Sequence, residues 1–174
     1  MQELNTNYGL SLIKKLPSSI NTIQYSSGEL ILIVPHTLVF QVLTFLKSHT
    51  NSQYKVLADM TVIDYPEKEK RFEVVYNLLS ISFNSRIRVK TYVNEMTALP
   101  TVSTIFSCAN WLEREIWDMY GVYFTQHNDL RRILTDYGFE GHPLRKDFPL
   151  TGNYEVRYSE EEKKVIREPV KLEQ

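Results

Sequence analysis

The chain has 174 residues, of which 43% are hydrophobic and 24% are charged, and its 20 basic and 21 acidic residues give a formal net charge of −1. This length suits one domain with a sizeable core, and the ordinary composition excludes a disordered or collagen-like chain. A charge near zero gives no general attraction to phosphate, so we expect no nucleic-acid partner.

The single cysteine, Cys108, excludes an internal disulfide, and no cysteines and histidines stand at zinc-ligand spacing. One thiolate cannot hold an iron–sulfur cluster by itself. The longest apolar run, residues 30–34, is far shorter than the roughly 20 residues of a membrane-spanning helix. The first residues show neither a secretory signal nor an arginine-rich presequence. We therefore expect no metal centre, no membrane span, and a chain that stays where it is made or has lost a presequence.

The first fifty residues predict two helices on either side of a hairpin. Apolar spacing over residues 5–17 predicts a short amphipathic helix. Residues 20–25 and 29–34 predict two short strands joined by a turn with a glycine. Apolar residues at helical spacing over 37–47 predict a helix that faces the core.

Three runs of alternating apolar residues follow and predict strands of one sheet with a single buried face. Short connectors at 65–71 and 82–85 predict that these strands are antiparallel neighbours. The predicted fold class is α+β, a mostly antiparallel sheet with helices packed on one face. The expected buried side chains are Tyr54, Val56, Ala58, Met60, Val62, Phe72, Val74, Tyr76, Leu78, Ile87, Val89, Thr91 and Val93.

The remainder of the chain changes character after Pro100. Residues 103–109 and 111–120 predict one helix, or two that break near Asn110, with a stop at Gly121.

Residues 124–152 show no sustained periodicity, and such a long loop is usually functional or laid on a partner. Two strands are predicted at 154–158 and 165–172. We therefore divide the chain into a globular domain, residues 1–123, and an extended irregular C-terminal arm, residues 124–174, that contacts neighbouring subunits.

The helix over 111–120 places Glu115 at the edge of its apolar stripe. A half-buried carboxylate needs a cation or hydrogen-bond donors. We favour a structural ion pair with an arginine of the following loop, such as Arg131 or Arg132. The alternative is a tuned general acid or proton-relay group.

Two other pairs on this helix have simple interpretations. Arg114 and Asp118 stand four residues apart and predict an exposed ion pair. Glu113 and Glu115 point about 200° apart, so they cannot flank one bond as the carboxylate pair of a hydrolase.

The loop that follows contains two histidines, His127 and His142, but their spacing to Asp129, Asp136 and Asp147 matches no metal-ligand pattern. Capping of turns is the favoured interpretation of these side chains. The aromatic residues of this stretch need a surface to bury against, and aromatic and arginine side chains are the usual anchors of protein contacts. From the residues alone we predict an adaptor or assembly subunit without an active site. The aromatic residues are Trp117, Tyr123, Phe124, Tyr137, Phe139 and Phe148.

The pattern Glu113-Arg114-Glu115, Asp118-Met119-Tyr120, His127, Arg131 and Ile133-Leu134 resembles the signature of the thirty-kilodalton subunit of respiratory complex I, the NADH:ubiquinone oxidoreductase. Residues 129–150 look like the mitochondrial version of that subunit, the NADH dehydrogenase subunit 9 type. The matching residues, expected at subunit interfaces, are Glu113, Arg114, Glu115, Asp118, His127, Arg131, Arg132, Tyr137, Phe139, His142, Arg145, Asp147 and Phe148.

The resemblance implies a non-catalytic core subunit of the hydrophilic (peripheral) arm of a proton-translocating enzyme, needed to assemble its quinone-reducing module. NADH, FMN, iron–sulfur clusters and ubiquinone would be bound by other subunits. The implied partners are chiefly the forty-nine-kilodalton subunit and the iron–sulfur subunits of that module. The implied location is the matrix side of the mitochondrial inner membrane, with the chain encoded in the organelle. A bacterial or chloroplast enzyme of the same type, or a direct part in proton or quinone chemistry through Glu115, remain alternatives.

Overall fold

A computed structural model describes residues 2–170 of the chain, with side chains from Tyr8 onward. The elements are α1 (Gln2–Lys15), β1 (Thr22–Ser26), β2 (Glu29–Ile33), a 3-10 turn (His36–Leu38), α2 (Val39–Ser48), β3 (Val56–Asp64), β4 (Phe72–Ser80), β5 (Ser85–Val93), β6 (Leu99–Pro100), α3 (Ala109–Tyr120), β7 (Phe124–Thr125), β8 (Tyr154–Ser159) and β9 (Lys164–Pro169).

The main sheet has five strands in the order β1-β2-β5-β4-β3. All neighbours are antiparallel except β2 and β5, which pair in parallel. A parallel pair needs a long crossover, and here α2, β3 and β4 lie between the two strands in sequence. The predicted α+β fold with a mostly antiparallel sheet is confirmed.

One face of this sheet and the helices enclose a single core. Leu12 of α1, Leu43 and Leu46 of α2, and Ile116 of α3 belong to the same buried cluster as Phe72 and its neighbours on the strands. The predicted alternation holds on β5, where the side chains from Ile87 to Val93 alternate into the core. On β4 the predicted residues from Phe72 to Leu78 also face the core, but Glu73 and Val75 on the opposite face are buried too, so the prediction of a single buried face is wrong there.

The predicted alternation is wrong at the start of β3. The pairing of β3 with β4 shifts between Leu57 and Asp59, so Ala58 is exposed and Leu57 is buried in its place. A bulge adds one residue to a strand and reverses the faces on its two sides. Met60 and Val62, beyond the bulge, point into the core as predicted.

The helix prediction after Pro100 is correct only in part. Residues 103–108 form turns, and α3 is one helix that begins at Ala109, without a break at Asn110. It ends at Gly121, whose φ of 79° lies in the left-handed region that favours glycine.

Residues 126–153 contain neither helix nor strand, whereas the irregular stretch was predicted to begin at residue 124, where β7 lies. Before them, β7 pairs in parallel with β6, and Phe124 lies in the core. After them, β8 and β9 form a separate antiparallel hairpin. The predicted second strand was placed at 165–172, and its last two residues lie outside the described part. A domain boundary at residue 123 stays a prediction.

Within residues 2–170, no helix combines the length and the apolar character needed to cross a membrane.

Candidate functional site

Asp118, in the last turn of α3, binds the start of the irregular segment. Its side chain is fully buried. Its Oδ2 accepts hydrogen bonds from the backbone N–H groups of Ile133 at 3.1 Å, Leu134 at 2.9 Å and Thr135 at 3.0 Å. Its Oδ1 accepts from Thr135 Oγ1 at 2.7 Å and Arg132 Nη1 at 2.8 Å. One carboxylate thus fixes four consecutive residues.

Two effects oppose each other in the pKa of Asp118. Burial raises it, but the hydrogen bonds from the N–H and hydroxyl of Thr135, from Leu134 and from Arg132 outweigh burial and hold the pKa well below 3.8. Asp118 is therefore a carboxylate at neutral pH.

The predicted exposed ion pair between Arg114 and Asp118 is wrong. Asp118 points towards the irregular segment, which supplies better donors than an arginine on the helix surface. Arg114 instead donates through Nε to the backbone oxygen of Arg131 at 3.3 Å and lies 6.0 Å from the ring centre of Trp111.

The end of α3 is capped by the same segment of chain. The last carbonyl groups of a helix have no partner within the helix. Here three of them accept hydrogen bonds from residues more than twenty positions later: Asp118 O from His142 Nδ1 at 2.9 Å, Met119 O from Leu144 N at 3.1 Å, and Tyr120 O from Arg145 Nε at 2.6 Å. We call residues 131–148, which make these contacts, the anchor segment.

Gly121 leaves the space that these caps need. A Cβ at this position would lie 2.5 Å from Arg145 Nη2 and 2.6 Å from His142 Nε2. Because Nδ1 of His142 donates to a carbonyl, its neutral tautomer carries the proton there. Burial, together with the positive charges of Arg145 and Arg132, lowers the pKa of His142 below 6.5.

Arg132 joins two parts of the anchor segment. Besides Asp118, it donates through Nη2 to Gly141 O at 2.9 Å. Its guanidinium lies 5.7 Å from the ring centre of Trp117 and 5.9 Å from that of Phe139. Phe139 in turn lies 5.9 Å from Phe148, so a small aromatic cluster covers this arginine.

A second carboxylate, Asp64 at the end of β3, holds the far end of the anchor segment. It accepts two hydrogen bonds from Arg71, at 2.6 and 2.8 Å, and one from Lys146 N at 2.8 Å. Arg71 also pairs with Glu95 at 2.6 Å and with Asp147 at 3.1 Å. The bonds from Arg71 lower the pKa of Asp64 below 3.8.

Sequence reasoning missed Asp64, Arg71 and Glu95. One signal was available: Asp64 has the same parity as Met60 and Val62, so an acidic residue stands on the buried face of a strand. A carboxylate in that position requires a cation.

Glu113, rather than Glu115, is the buried glutamate of α3. Glu115 is exposed, while the side chain of Glu113 is fully buried. The helix faces the core with Ala109, Glu113 and Ile116, which rotates the buried stripe away from the predicted one. The predicted ion pair of Glu115 is therefore wrong, since Arg131 pairs with Asp129 and Arg132 with Asp118. The exposed position also removes the reason to assign Glu115 a proton-relay role.

The buried carboxylate of Glu113 accepts from Thr101 Oγ1 at 2.5 Å and from Val102 N at 2.7 Å. His127 Nε2 lies 3.8 Å away. Nδ1 of this histidine accepts from Asp129 N at 3.1 Å, so Nε2 carries the proton of the neutral ring and donates to Asn110 O at 3.2 Å. Burial raises the pKa of Glu113 above 4.5, against the opposing effect of these donors.

The two histidines of the loop do not meet. His127 lies beside Glu113 near the start of α3, and His142 caps the end of the same helix. Among the side chains that the structure describes, no three His, Cys, Asp or Glu residues are grouped so as to hold a metal ion.

The family model for the 30 kDa subunit of respiratory-chain NADH dehydrogenase matches residues 32–154, which include β3 to β7, Asp64, Asp118 and the whole anchor segment. The chain belongs to this family.

Relatives from several lineages support this membership. NADH-ubiquinone oxidoreductase subunit 9 of Reclinomonas americana is 58% identical over 96% of this chain and 82% of that one. A probable mitochondrial NADH-ubiquinone oxidoreductase 30.4 kDa subunit of Candida maltosa is 52% identical over the full chain, which spans 63% of its length. An NADH-quinone oxidoreductase subunit of Paramagnetospirillum magneticum is 57% identical over 84% of this chain and 74% of that one.

Two solved structures share the fold. A trypsin-resistant fragment of Nqo5 is 28% identical, with a TM-score of 0.61, over 72% of this chain and 99% of the fragment. A chain in the structure of the membrane-bound sulfane sulfur reductase, an archaeal respiratory membrane complex, is 27% identical, with a TM-score of 0.70, over 83% of this chain and 85% of that one.

This member of the family displays apolar side chains on its C-terminal arm. Tyr137, at the surface of the anchor segment, is 98% exposed, and Leu150 is fully exposed. On the β8–β9 hairpin, the register places four exposed apolar side chains on one face: Tyr154, Val156, Tyr158 and Val165. An ion pair of 2.5 Å between Arg167 and Asp136 ties this hairpin to the anchor segment.

Proposed function

We propose that this chain is a non-catalytic core structural subunit of the peripheral arm of respiratory complex I, where it helps to assemble the quinone-reducing module. One observation carries the proposal: in a chain of this family, the charged signature residues Asp118, Arg132 and Arg145 are engaged in holding the anchor segment on α3. Side chains committed to such contacts position a surface and do not turn over a substrate.

The exposed surface of the C-terminal arm has the composition of a protein interface. Aromatic residues and arginines dominate the energetics of protein contacts, and a lone two-stranded hairpin is at best marginally stable in water. The exposed Tyr137 and the apolar face of β8–β9 therefore favour burial against neighbouring subunits. We assign these contacts chiefly to the forty-nine-kilodalton subunit and the iron–sulfur subunits of the quinone module.

In this proposal the chain binds no redox centre, and NADH, FMN, iron–sulfur clusters and ubiquinone belong to other subunits. Its single cysteine supports this division, because iron–sulfur clusters need several thiolates. The name of the Candida maltosa relative, a mitochondrial subunit, supports a mitochondrial location. We place the chain on the matrix side of the inner membrane and propose that the organelle encodes it.

The first test is migration of the chain in a native gel of mild-detergent membrane extracts. We expect the chain in a large particle that oxidises NADH. Migration near its own mass of 20.5 kDa would contradict the proposal.

A matched pair of variants then tests the assembly role. Arg132→Ala removes the bonds to Asp118 and Gly141, and we expect it to lower the amount of assembled enzyme more than it lowers folding of the free chain. Arg131→Ala, which removes only an exposed pair with Asp129, should assemble normally. Equal loss of assembly in both variants, or equal loss of folding and assembly in Arg132→Ala, would argue against it.

A further inference from the structure

A cleft of about 410 Å³ lies near the start of α3, where β3 begins and where the turns of residues 103–108 lead into the helix. Its wall combines two lysines, Lys47 and Lys55, with hydroxyl side chains and the apolar residues Leu57 and Phe106. None of the described residues that line it is acidic. The cleft therefore carries positive charge without a compensating carboxylate of its own.

The two lysines differ in how they are held. Lys47 donates through Nζ to Ile105 O, and the ammonium lies 5.1 Å from the ring centre of Phe106, so this lysine is fixed in the wall. Lys55 is exposed, and among residues 8–170 it has no ion-pair partner. Most of the chain's arginines, by contrast, form ion pairs with carboxylates or contact aromatic rings, as Arg71 and Arg132 do.

We propose that this cleft binds an acidic segment of a neighbouring subunit, with a carboxylate held by the ammonium groups of Lys55 and Lys47. Charge complementarity selects an anion, since two positive charges in one cleft repel each other until a negative group neutralises them. The apolar part of the wall suits the aliphatic stem of an aspartate or glutamate, and serine and threonine hydroxyls of residues 103, 104 and 107 offer further donors. The inference rests on the proposed function, because it requires a neighbouring subunit.

This binding surface is separate from the C-terminal arm. The arm is anchored at the end of α3 through Asp118 and Tyr120, whereas the cleft lies before the beginning of that helix at Ala109. The subunit would thus be held by two surfaces, one apolar and one charged. Two linked contacts bind more tightly than either alone, even where each is weak.

Cross-linking of the intact enzyme with a carbodiimide tests the charged contact directly, because the reagent joins an amine to a carboxylate that touches it. We expect mass spectrometry to find Lys55 or Lys47 joined to an aspartate or glutamate of another subunit. Cross-links that reach only carboxylates of this chain, or none at either lysine, would overturn the proposal.

Cys108 gives a second measurement, since it lines the cleft, is exposed and is the single cysteine of the chain. We expect a maleimide to label Cys108 several-fold more slowly in the intact enzyme than in the free chain. Lys55→Glu should restore labelling or release the subunit at lower salt, whereas Lys70→Glu, an equal charge change at an exposed site in the β3–β4 connector, should do neither.

The outcomes separate the two proposals. A chain that migrates with the enzyme but shows equal labelling of Cys108 in both states refutes the cleft contact and leaves the subunit role intact. Protection of Cys108 in the free chain by inorganic phosphate, without cross-links in the enzyme, indicates a small anion and also refutes it. A chain that does not migrate with the enzyme refutes both.

Discussion

Nε2 of His127 lies 3.8 Å from Oε2 of Glu113, and both side chains are completely buried. Nε2 of the histidine donates to Asn110 O at 3.2 Å. The glutamate relies on Thr101 and Val102 for its donors. The pair therefore links the start of α3 to the residues that follow β6 and β7, through hydrogen bonds around a buried carboxylate.

Replacement of Glu113 should lower the free energy of unfolding most when the new side chain leaves the buried donors without an acceptor. Glu113→Ala strands the hydroxyl of Thr101 and the N–H of Val102, and we expect a loss of about 1–3 kcal/mol in the free energy of unfolding. Glu113→Gln keeps one acceptor oxygen and should lose less. Urea denaturation of the free chain measures both, and Glu115→Gln, at an exposed position, serves as the control. A larger loss in the Glu115 variant would contradict the assignment.

The same residue predicts a pH dependence with a defined sign. Because the pKa of Glu113 is raised above 4.5 in the folded chain, the folded state holds its proton to a higher pH than the unfolded state does. The stability contributed by Glu113 should therefore fall as pH rises from 4.5 through the folded pKa. Denaturation at a series of pH values should show the advantage of the natural chain over Glu113→Gln shrinking across that range; an advantage that grows would refute the sign.

Asp118 should behave in the opposite way. Its folded pKa is held below 3.8, so its stabilisation is present above that pH and is lost as pH falls through the folded value. Asp118→Asn removes the charge that three N–H groups and Arg132 share, and we expect a loss on the order of 2 kcal/mol at neutral pH. Trypsin should also cut the anchor segment faster. Asp129→Asn, which affects one exposed ion pair, is the matched control and should change neither property.

Substitution of two glycines by alanine distinguishes the cost of backbone strain from the cost of steric crowding. Gly121 and Gly138 both have positive φ, 79° and 74°, but a Cβ at Gly138 meets nothing within 4 Å. Gly138→Ala should therefore lose about 1–2 kcal/mol for the left-handed conformation alone. Gly121→Ala must also displace His142 and Arg145, so its thermal unfolding midpoint should fall clearly further. Equal losses would show that the caps tolerate a Cβ.

His142 gives a second test of the caps. Its lowered pKa means that the unfolded chain takes up a proton there first as the pH falls below 6.5. The stability contributed by His142 is thus lost from about pH 6.5 down to the folded pKa and is complete above 6.5. An NMR titration of the ring should give a midpoint below 6.5 in the natural chain. A midpoint at or above 6.5 would show that the ring is not buried against Arg145.

Regular periodicity accounts for the parts of the fold that could be predicted. Strict alternation identified β4 and β5, and the short connectors required antiparallel neighbours. The bulge at Ala58 could not be predicted, because nothing in the sequence shows that this residue has no partner on β4. The parallel pairing of β2 with β5 depends on packing between residues far apart in the chain. Local sequence patterns carry no information about such packing.

Part of the candidate site was predicted in its residues, but Asp64, Arg71 and Glu95 were missed, and the contacts of the site were not predicted. The charged and aromatic residues of the signature stood out, and Arg132 and His142 do contact α3. Helical periodicity placed Glu115 at the core instead of Glu113. The rotation of α3 about its axis depends on its packing against β3 and on the hydrogen bonds that Asp118 accepts from the anchor segment. Contacts made by an irregular segment have no period, so the bond from Lys146 to Asp64 had no sequence signal.

The distance in sequence between residues in contact also indicates which contacts form early in folding. The caps on α3 join residues 24 and 25 positions apart, whereas the bond between Arg88 and Glu29, beside the parallel pair, spans 59. Longer loops cost more entropy to close, so the capped helix can form locally while the β1–β2 hairpin waits for β5. Until β5 pairs with it, the edge of β2 with its adjacent Leu30, Ile31 and Leu32 stays open. An unpaired strand edge with adjacent apolar side chains exposes the nascent chain to aggregation, so chaperone protection would matter for β2 until β5 has been made.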